Sequence, residues 1–210
     1  MAAAPVNVAQ RELGVTGAAS FKNMKERIIL DLCGGSGSWG APYKEAGYDY
    51  RLITLPRADV RLYSPPRNVW GILAAPPCTE FSVAKTTGGK GRDFLTGLEV
   101  VSACMRIILT AWPTWWALEN PVGYLSRWLG PPLFVFQPWE FGADYTKKTA
   151  IWGRFRPPLK TESAPPPGAK GIMDIPAHEL HPEYKGLLSR VGRRAITPAG
   201  FAQAFFEVNP

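Results

Sequence analysis

Short apolar runs, each closed by glycine, proline or a charged residue, recur along the chain and are typical of buried parallel strands. They are residues 26–32, 50–55, 69–75, 115–118, 133–136 and 149–152. Residues 41–47 are predicted to form a short helix that ends on glycine. Residues 94–109 have helical spacing. The predicted buried face of this second helix contains Leu95, Leu98, Val101, Cys104 or Met105, and Ile108.

The remaining segments complete an α/β pattern. Residues 88–91 and 156–176 are expected to be loops, because glycine dominates the first and proline with charge the second. A last helix is predicted from about Pro198 to Glu207, with Thr197 as its N-cap. Strands alternating with helices indicate a doubly wound, Rossmann-like α/β fold with a mostly parallel sheet and helices on both faces.

Three clusters of chemically distinctive residues follow predicted strands, at residues 31–39, 76–82 and 119–121. Ligands of doubly wound sheets bind beyond the carboxyl ends of the strands. We therefore expect the three clusters to build one composite site.

Each cluster leaves a plainer alternative open. Gly35 and Gly37 would let a backbone turn approach a nucleotide-like cofactor, or would only close a tight turn. Cys78 follows two prolines and has polar neighbours, which favours a nucleophile over a structural cysteine. Cys104 and Cys33 fit the structural interpretation better. Glu119 ends an apolar strand and is a candidate proton donor or an ordinary paired carboxylate.

Composition narrows the class of protein. The 210 residues, 46% apolar, suffice for one globular domain, and no uncharged apolar run is long enough to predict a membrane span. The first residues lack the pattern of a secretory signal, and three cysteines favour a reducing, cytoplasmic setting in a prokaryotic or phage-infected cell. The cysteines form no CxxC pair, and only His178 and His181 could serve beside them as zinc ligands, so no metal site is expected. The net charge of +7 favours a phosphate polyanion as partner.

The segments ILDLCGGSGSW, ILAAPPCTEFS and ALENP, in this order, resemble motifs I, IV and VI of the C5-cytosine DNA methyltransferases. KKTAIWG resembles a degenerate motif VIII, and RRAITPAGFAQAFFE resembles motif IX. The ending is similar to that of short, phage-type members. The resemblance covers residues 27–153 and 190–210 and implies an N-terminal arm (1–25), a catalytic core (26–153), a short basic insertion (154–190) and a C-terminal helix (191–210).

The resemblance implies transfer of a methyl group from S-adenosylmethionine to C5 of a cytosine flipped out of double-stranded DNA. Cys78 would attack C6 while Glu119 holds the base, with Lys147 and Lys148 in the places of family arginines. The implied cofactor-binding residues are Asp31, Leu32, Cys33, Gly35, Ser36, Gly37, Ser38, Trp39, Asp59, Val60 and Pro76. The implied DNA-binding residues are Pro77, Ser82, Lys85, Asn120, Pro121, Arg193 and Arg194.

The chain departs from the family pattern in three places. Cys33 replaces a phenylalanine, and Trp39 is a candidate for the missing aromatic surface. The second strand ends in Thr54-Leu55-Pro56, without the acidic residue that holds the cofactor ribose. Residues 154–190 are too few for a target-recognition domain, although Arg156, Lys160, Lys170, Lys185 and Arg190 suit phosphate contacts. We expect a monomer with short or relaxed specificity, or an accessory partner that supplies specificity.

Other functions remain open from the sequence. An amino-methyltransferase is disfavoured because Ala75 and Cys78 flank the two prolines. The same cysteine chemistry on RNA or a nucleotide, or with a modified alkyl donor, would use the same residues. A non-catalytic DNA- or cofactor-binding regulator would retain the fold.

Overall fold

A computed structural model of the chain describes residues 24–85, 91–176, 179, 181 and 189–210. Its elements are β1 (Ile28–Leu32), α1 (Ala41–Glu45), β2 (Asp49–Ile53), β3 (Val69–Ala74), α2 (Phe94–Ala111), β4 (Trp115–Pro121), α3 (Ser126–Leu129), β5 (Phe134–Phe136), a 3-10 turn (Pro138–Phe141), β6 (Tyr145–Thr146), β7 (Thr149–Arg154), β8 (Lys170–Gly171), α4 (Arg190–Arg194) and α5 (Ala199–Val208). The predicted arm (residues 1–23 of it), residues 88–90 of the glycine loop, His178 and Lys185 lie outside the described residues.

The main sheet has the strand order β2-β1-β3-β4-β7-β5 within the part of the chain that is described. The first four strands are parallel neighbours, whereas β7 runs antiparallel to both β4 and β5. The chain passes from β1 to β2 on one side and then to β3 on the other side of β1, so its winding reverses there. The predicted doubly wound, mostly parallel α/β fold is confirmed, and its crevice lies at the carboxyl ends of β1 and β3.

Helices cover the sheet on both faces. Alternate residues of β1 divide between them, with Leu30 and Leu32 packing with α2 and Ile29 packing with α1 and α5. The α5 side is rich in aromatic rings, and Phe201 stacks on Phe136 with 3.9 Å between ring centroids. Strands buried on both faces need this double cover, which explains their nearly continuous apolar sequences.

The predicted buried face of α2 is correct in part. Val101, Cys104 and Ile108 are buried, but Leu95 is 78% exposed. Leu98 and Met105 are only half-buried. The helix carries two apolar rows, and the sheet covers only one of them. By length and composition α2 could also cross a membrane, the one described helix of which this is true, but its inner row packs in the core.

The last helix also differs from prediction at its start. Its N-cap is Pro198, which makes no side-chain capping bond, so the prediction of Thr197 as N-cap was wrong. The Thr197 backbone N–H instead donates to Ser38 Oγ at 2.9 Å. This bond ties the segment before α5 to the glycine-rich turn after β1. Thr197 therefore makes a tertiary contact and does not cap the helix.

Candidate active site

The loop after β3 carries Cys78 at the sheet edge. The Ala75 N–H donates to the carbonyl of Leu32, so the chain leaves β3 alongside β1. Pro76 is buried, Pro77 exposed and Cys78 half-buried. Because the Cys78 carbonyl accepts from the backbone N–H groups of Phe81 and Ser82, at 3.0 and 2.8 Å, the cysteine starts a tight turn.

A buried hydrogen bond fixes this loop against β4. Asn120 is fully buried and its Nδ2 donates to the Pro76 carbonyl at 3.0 Å. Proline lacks an N–H and leaves its carbonyl as the only backbone hydrogen-bonding group. The adjoining residues Cys78 and Glu119 are therefore held at the carboxyl ends of neighbouring parallel strands.

Lys147 lies beside Glu119 and comes from the segment just before β7, the strand that pairs antiparallel with β4. Its Nζ lies 3.5 Å from Glu119 Oε1, and the two side chains are 15% and 16% exposed. Its backbone N–H donates to Gln137 Oε1 at 2.9 Å, and its carbonyl accepts from Thr149 Oγ1 at 2.7 Å. Gln137 is a residue that the sequence analysis missed, since only the turn after β5 brings it to Lys147.

The three side chains act on one another electrostatically. Burial, and then the negative charge of Glu119, raise the pKa of the Cys78 thiol, while Lys147 lowers it. The raising effects are the larger, so Cys78 is a neutral thiol near neutral pH in this state. A half-buried thiol between a carboxylate and an ammonium group can be activated by a change in either charge.

Lys148, predicted together with Lys147 as a catalytic residue, and several predicted DNA-binding residues do not join this cluster. Lys148 is exposed, and its carbonyl accepts from the Val122 N–H at 2.9 Å. Pro121 is half-buried, and Ser82 forms a bridge with Gly123. Arg193 is half-buried. Arg194 donates to the carbonyls of Ile172 and Met173 at 3.2 and 2.9 Å, which anchors the segment after β8.

Lys85 is engaged within its own loop. Its Nζ lies 2.5 Å from Glu80 Oε1. Arg92 donates to the carbonyls of Glu80 and Lys85 at 3.0 and 3.1 Å, and its guanidinium lies 4.8 Å from the centre of the Tyr124 ring. Sequence reasoning missed Arg92, because bonds to backbone carbonyls leave no residue pattern to read.

The glycine-rich turn after β1 has three residues with positive φ: Cys33 at 57°, Gly35 at 56° and Gly37 at 75°. At Gly35 no atom lies within 4 Å of the position that a Cβ would occupy, so a ligand can approach the backbone there. Gly34 was missed: a Cβ at this residue would overlap the Asp31 carboxylate.

Asp31 is enclosed by protein. Its Oδ2 accepts from the Tyr50 hydroxyl at 2.6 Å, and the carboxylate is fully buried. Burial raises its pKa to about 6, against the lowering effect of the bonds from Tyr50 and from the Gly40 backbone. It presents no surface to a ligand, which argues against its predicted role in cofactor contact.

Three more predicted cofactor residues are core residues. Leu32, Trp39 and Val60 are at most 5% exposed. The Trp39 ring packs on Phe201 and Phe205, at centroid distances of 6.0 and 5.4 Å. The idea that Trp39 replaces the missing aromatic surface was therefore wrong, because α5 covers that ring.

Of the remaining cofactor candidates, Gly37 and Pro76 are buried, whereas Cys33, Gly35, Ser36, Ser38 and Asp59 are exposed or half-buried. Asp59 binds Arg61 side-on, with Oδ2 2.6 Å from Nη2. A hydrogen bond with Cys104 lowers the pKa of the half-buried Cys33. A cavity of about 370 Å³ is lined by Ser36, Gly37, Ala41, Lys44, Glu45, Tyr50 and Leu52. The described residues contain no group of three or more His, Cys, Asp or Glu side chains that could hold a metal ion.

No protein-family model and no curated protein matches this chain. Among solved structures the chain is similar to a protein provisionally assigned as a DNA modification methyltransferase encoded within a prophage of E. coli. Identity is 15% and the TM-score 0.46, over 73% of this chain and 54% of that one. This chain thus spans about half the length of that structure.

Proposed function

We propose that the protein is a DNA methyltransferase that acts on C5 of cytosine through a covalent adduct with Cys78. The observation that carries the proposal is the convergence of Cys78, Glu119 and Lys147 at one sheet edge. Lys147, two residues before β7, forms a 3.5 Å ion pair with Glu119 of β4, and both charges act on the thiol. A nucleophile, a carboxylate and a cation in one crevice suit addition to an electron-poor ring.

The chain's own groups would divide the reaction between them. Glu119 holds the flipped base at N3 and the exocyclic amine. The Cys78 thiolate bonds to C6, and the electron pair of the C5–C6 double bond moves to C5, while Glu119 stabilises the activated ring from N3 and the exocyclic amine. S-adenosylmethionine supplies an electrophilic methyl group for C5. Loss of the C5 proton and departure of Cys78 from C6 restore the double bond.

Substrate binding itself would activate the thiol. The negative charge of Glu119 raises the pKa of Cys78 in the free protein. When a proton is shared between Glu119 and N3 of the bound cytosine, the negative charge beside the thiol is reduced, so its repulsion of a thiolate falls while Lys147 keeps its favourable effect. Cys78 would thus ionise when the base is bound and would remain a protonated, less reactive thiol in the free protein.

The cofactor site fits S-adenosylmethionine in part. The open backbone at Gly35 and the cavity beside Ser36 and Gly37 suit close approach of a ligand. Asp59 would lie near the adenine once its carboxylate is released from the ion pair with Arg61. Leu55, which is 65% exposed beyond the end of β2, offers no carboxylate to the ribose hydroxyls. We therefore expect weak cofactor binding.

Duplex DNA would be held by charge. The net charge of +7 favours phosphate contacts, and the exposed Lys148 lies next to the site. Phosphate contacts carry no sequence information, so residues 154–190 would leave the specificity short or relaxed.

The test is transfer of labelled methyl from S-adenosylmethionine to mixed-sequence duplex DNA. We expect label at C5 of cytosine with the wild type and with Cys104→Ala, whose thiol lies in the core, and none with Cys78→Ser. Label that survives Cys78→Ser would refute the covalent mechanism. Label on RNA alone, or a larger alkyl group found by mass spectrometry, would keep the cysteine chemistry and change the substrate or the donor.

A further inference from the structure

Helix α2 carries a second apolar row on its outer side. The row, called here the outer row, consists of Leu95, Leu98, Ser102, Met105 and Leu109 of α2, followed by Trp112, the C-cap of the helix, whose φ is 48°. Its members follow one another at alternating intervals of three and four residues, the spacing by which one helix packs along another. The inner row, around Val101, Cys104 and Ile108, already lies against the sheet, and of the outer row only Leu98 and Met105 pack partly against the core.

The outer row is largely uncovered. Leu95, Leu109 and Trp112 are 78%, 64% and 74% exposed, and neighbouring Trp128 on α3 is 42% exposed. A groove of about 580 Å³ runs along this side of α2 and is lined by Leu98, Val101, Ser102, Met105, Arg106, Leu109, Thr110, Trp128 and Leu129. Contiguous apolar surface of this kind marks an interaction site.

The charges beside the row indicate what covers it. Glu99 and Arg106 lie one heptad apart, each next to a row member and on the flank of α2 that faces Arg61. Glu99 is exposed and lies 3.9 Å from Arg61, and Arg106 uses one nitrogen for the carbonyls of Val60 and Tyr63. Opposite charges on the same flank match an identical helix laid antiparallel, since each Glu99 then faces the other Arg106.

The apolar positions match in the same arrangement. Antiparallel pairing places Leu98 opposite Leu109 and Ser102 opposite Met105 of the second helix, and brings Leu95 to the end of that helix that Trp112 caps. The smallest side chain of the row thus meets the flexible Met105 at the centre, where two helices approach most closely. Each contact occurs twice, as a two-fold interface requires.

We propose that the outer row is a self-complementary interface through which two copies of this chain associate, α2 against α2 in antiparallel orientation. This differs from the monomer expected from the sequence and does not depend on the proposed methyl transfer. The site at Cys78 lies at the sheet edge and contributes no residue to the row.

Sedimentation equilibrium of the full chain across micromolar concentrations tests the proposal. We expect a dimer for the wild type and a monomer for Leu109→Glu. Leu159→Glu is the matched control, because Leu159 is 86% exposed and lies outside the row. It should leave the dimer intact. Equal thermal midpoints of the two variants would show that neither has lost its fold.

A charge exchange tests the orientation. Glu99→Lys alone should raise the dimer dissociation constant at least tenfold, because a lysine then faces Arg106 of the other copy. Arg106→Glu alone should do the same, and a mixture of the two variants should restore a heterodimer. Glu207→Lys, on exposed α5 surface, is the control. If Arg106→Glu fails to fold, the dissociation constant of Glu99→Lys, compared with that of Glu207→Lys, still tests the orientation.

Three outcomes would overturn the proposal. They are a wild-type monomer at every concentration, a dimer unaffected by Leu109→Glu, and a monomer that floats with phosphatidylcholine vesicles until Leu109→Glu abolishes flotation. The last result would assign the outer row to a membrane surface.

Discussion

The Asn120 side chain donates a 3.0 Å hydrogen bond to the carbonyl oxygen of Pro76, and both residues are buried. The bond joins the end of β4 to the loop after β3, and each partner lies within two residues of a proposed catalytic group. It is a positioning contact, since Asn120 itself reaches the site only through its neighbours.

Replacing Asn120 by leucine should therefore affect both stability and catalysis. The variant leaves the Pro76 carbonyl buried without its donor, which costs about 1–3 kcal/mol in the free energy of unfolding. Denaturant titration measures this loss, and Ser126→Ala, which removes an exposed 3.2 Å bond, should cost much less. At temperatures where the variant is folded, kcat should fall more than KM rises. Unchanged stability and kcat would refute the positioning role.

Glu119→Gln should change thiol reactivity and methyl transfer in opposite directions. Removal of the negative charge lowers the pKa of Cys78, so alkylation by iodoacetamide at neutral pH should be a few-fold faster than in the wild type. Methyl transfer should fall by about 100-fold or more, because the amide cannot share a proton with N3 of the base as the carboxyl group does. A parallel fall in both rates would contradict this account of the site.

Lys147→Met should slow alkylation of Cys78. The ammonium group lowers the pKa of the thiol, and its loss shifts the pH profile of alkylation to higher pH. Lys147→Arg keeps the charge and should preserve the profile. Lys148→Met is the adjacent control, because Lys148 is exposed. An equal shift in the Lys148 variant would mean that general surface charge, rather than the pair with Glu119, sets the thiol pKa.

Asp31 should make the fold less stable as pH rises from about 4 to 6. Its pKa is raised from 3.8 to about 6 by burial, so its protonated form favours the folded state. The contribution is complete below 3.8 and is lost as pH rises through 6. Asp31→Asn should remove this dependence and raise stability at neutral pH by up to about 3 kcal/mol.

Denaturant midpoints between pH 4 and 7 measure the effect. Asp49→Asn is the control, because the hydrogen bond to Arg51 lowers the pKa of Asp49, so this carboxylate adds little pH dependence between pH 4 and 7 and the variant should keep the wild-type profile. Identical pH profiles for the wild type and Asp31→Asn would mean that the carboxylate is solvated in solution.

The strands and the strand-end clusters could be predicted because parallel strands place their carboxyl ends at one edge. That rule alone brings Cys78 and Glu119 together. The approach of Lys147 could not be predicted in detail, because it depends on β7 running antiparallel beside β4, with Pro121 opposite Thr149.

Burial was the less predictable property. Periodicity locates Leu95 and Trp39 on apolar surfaces but does not say which surfaces are covered. Leu95 lies outside because α3 covers only part of the outer side of α2, and Trp39 lies inside because α5 packs over it. These outcomes depend on contacts between segments distant in sequence.

Covalent trapping tests the central claim most directly. Wild-type protein is incubated with S-adenosylmethionine and duplex DNA containing 5-fluorocytosine, whose fluorine cannot leave as the C5 proton does. We expect a denaturation-resistant protein–DNA adduct at Cys78, located by peptide mass spectrometry, that is present in Cys104→Ala and absent in Cys78→Ser. A wild type that binds the duplex and forms no adduct, or an adduct at another residue, would contradict the proposed function.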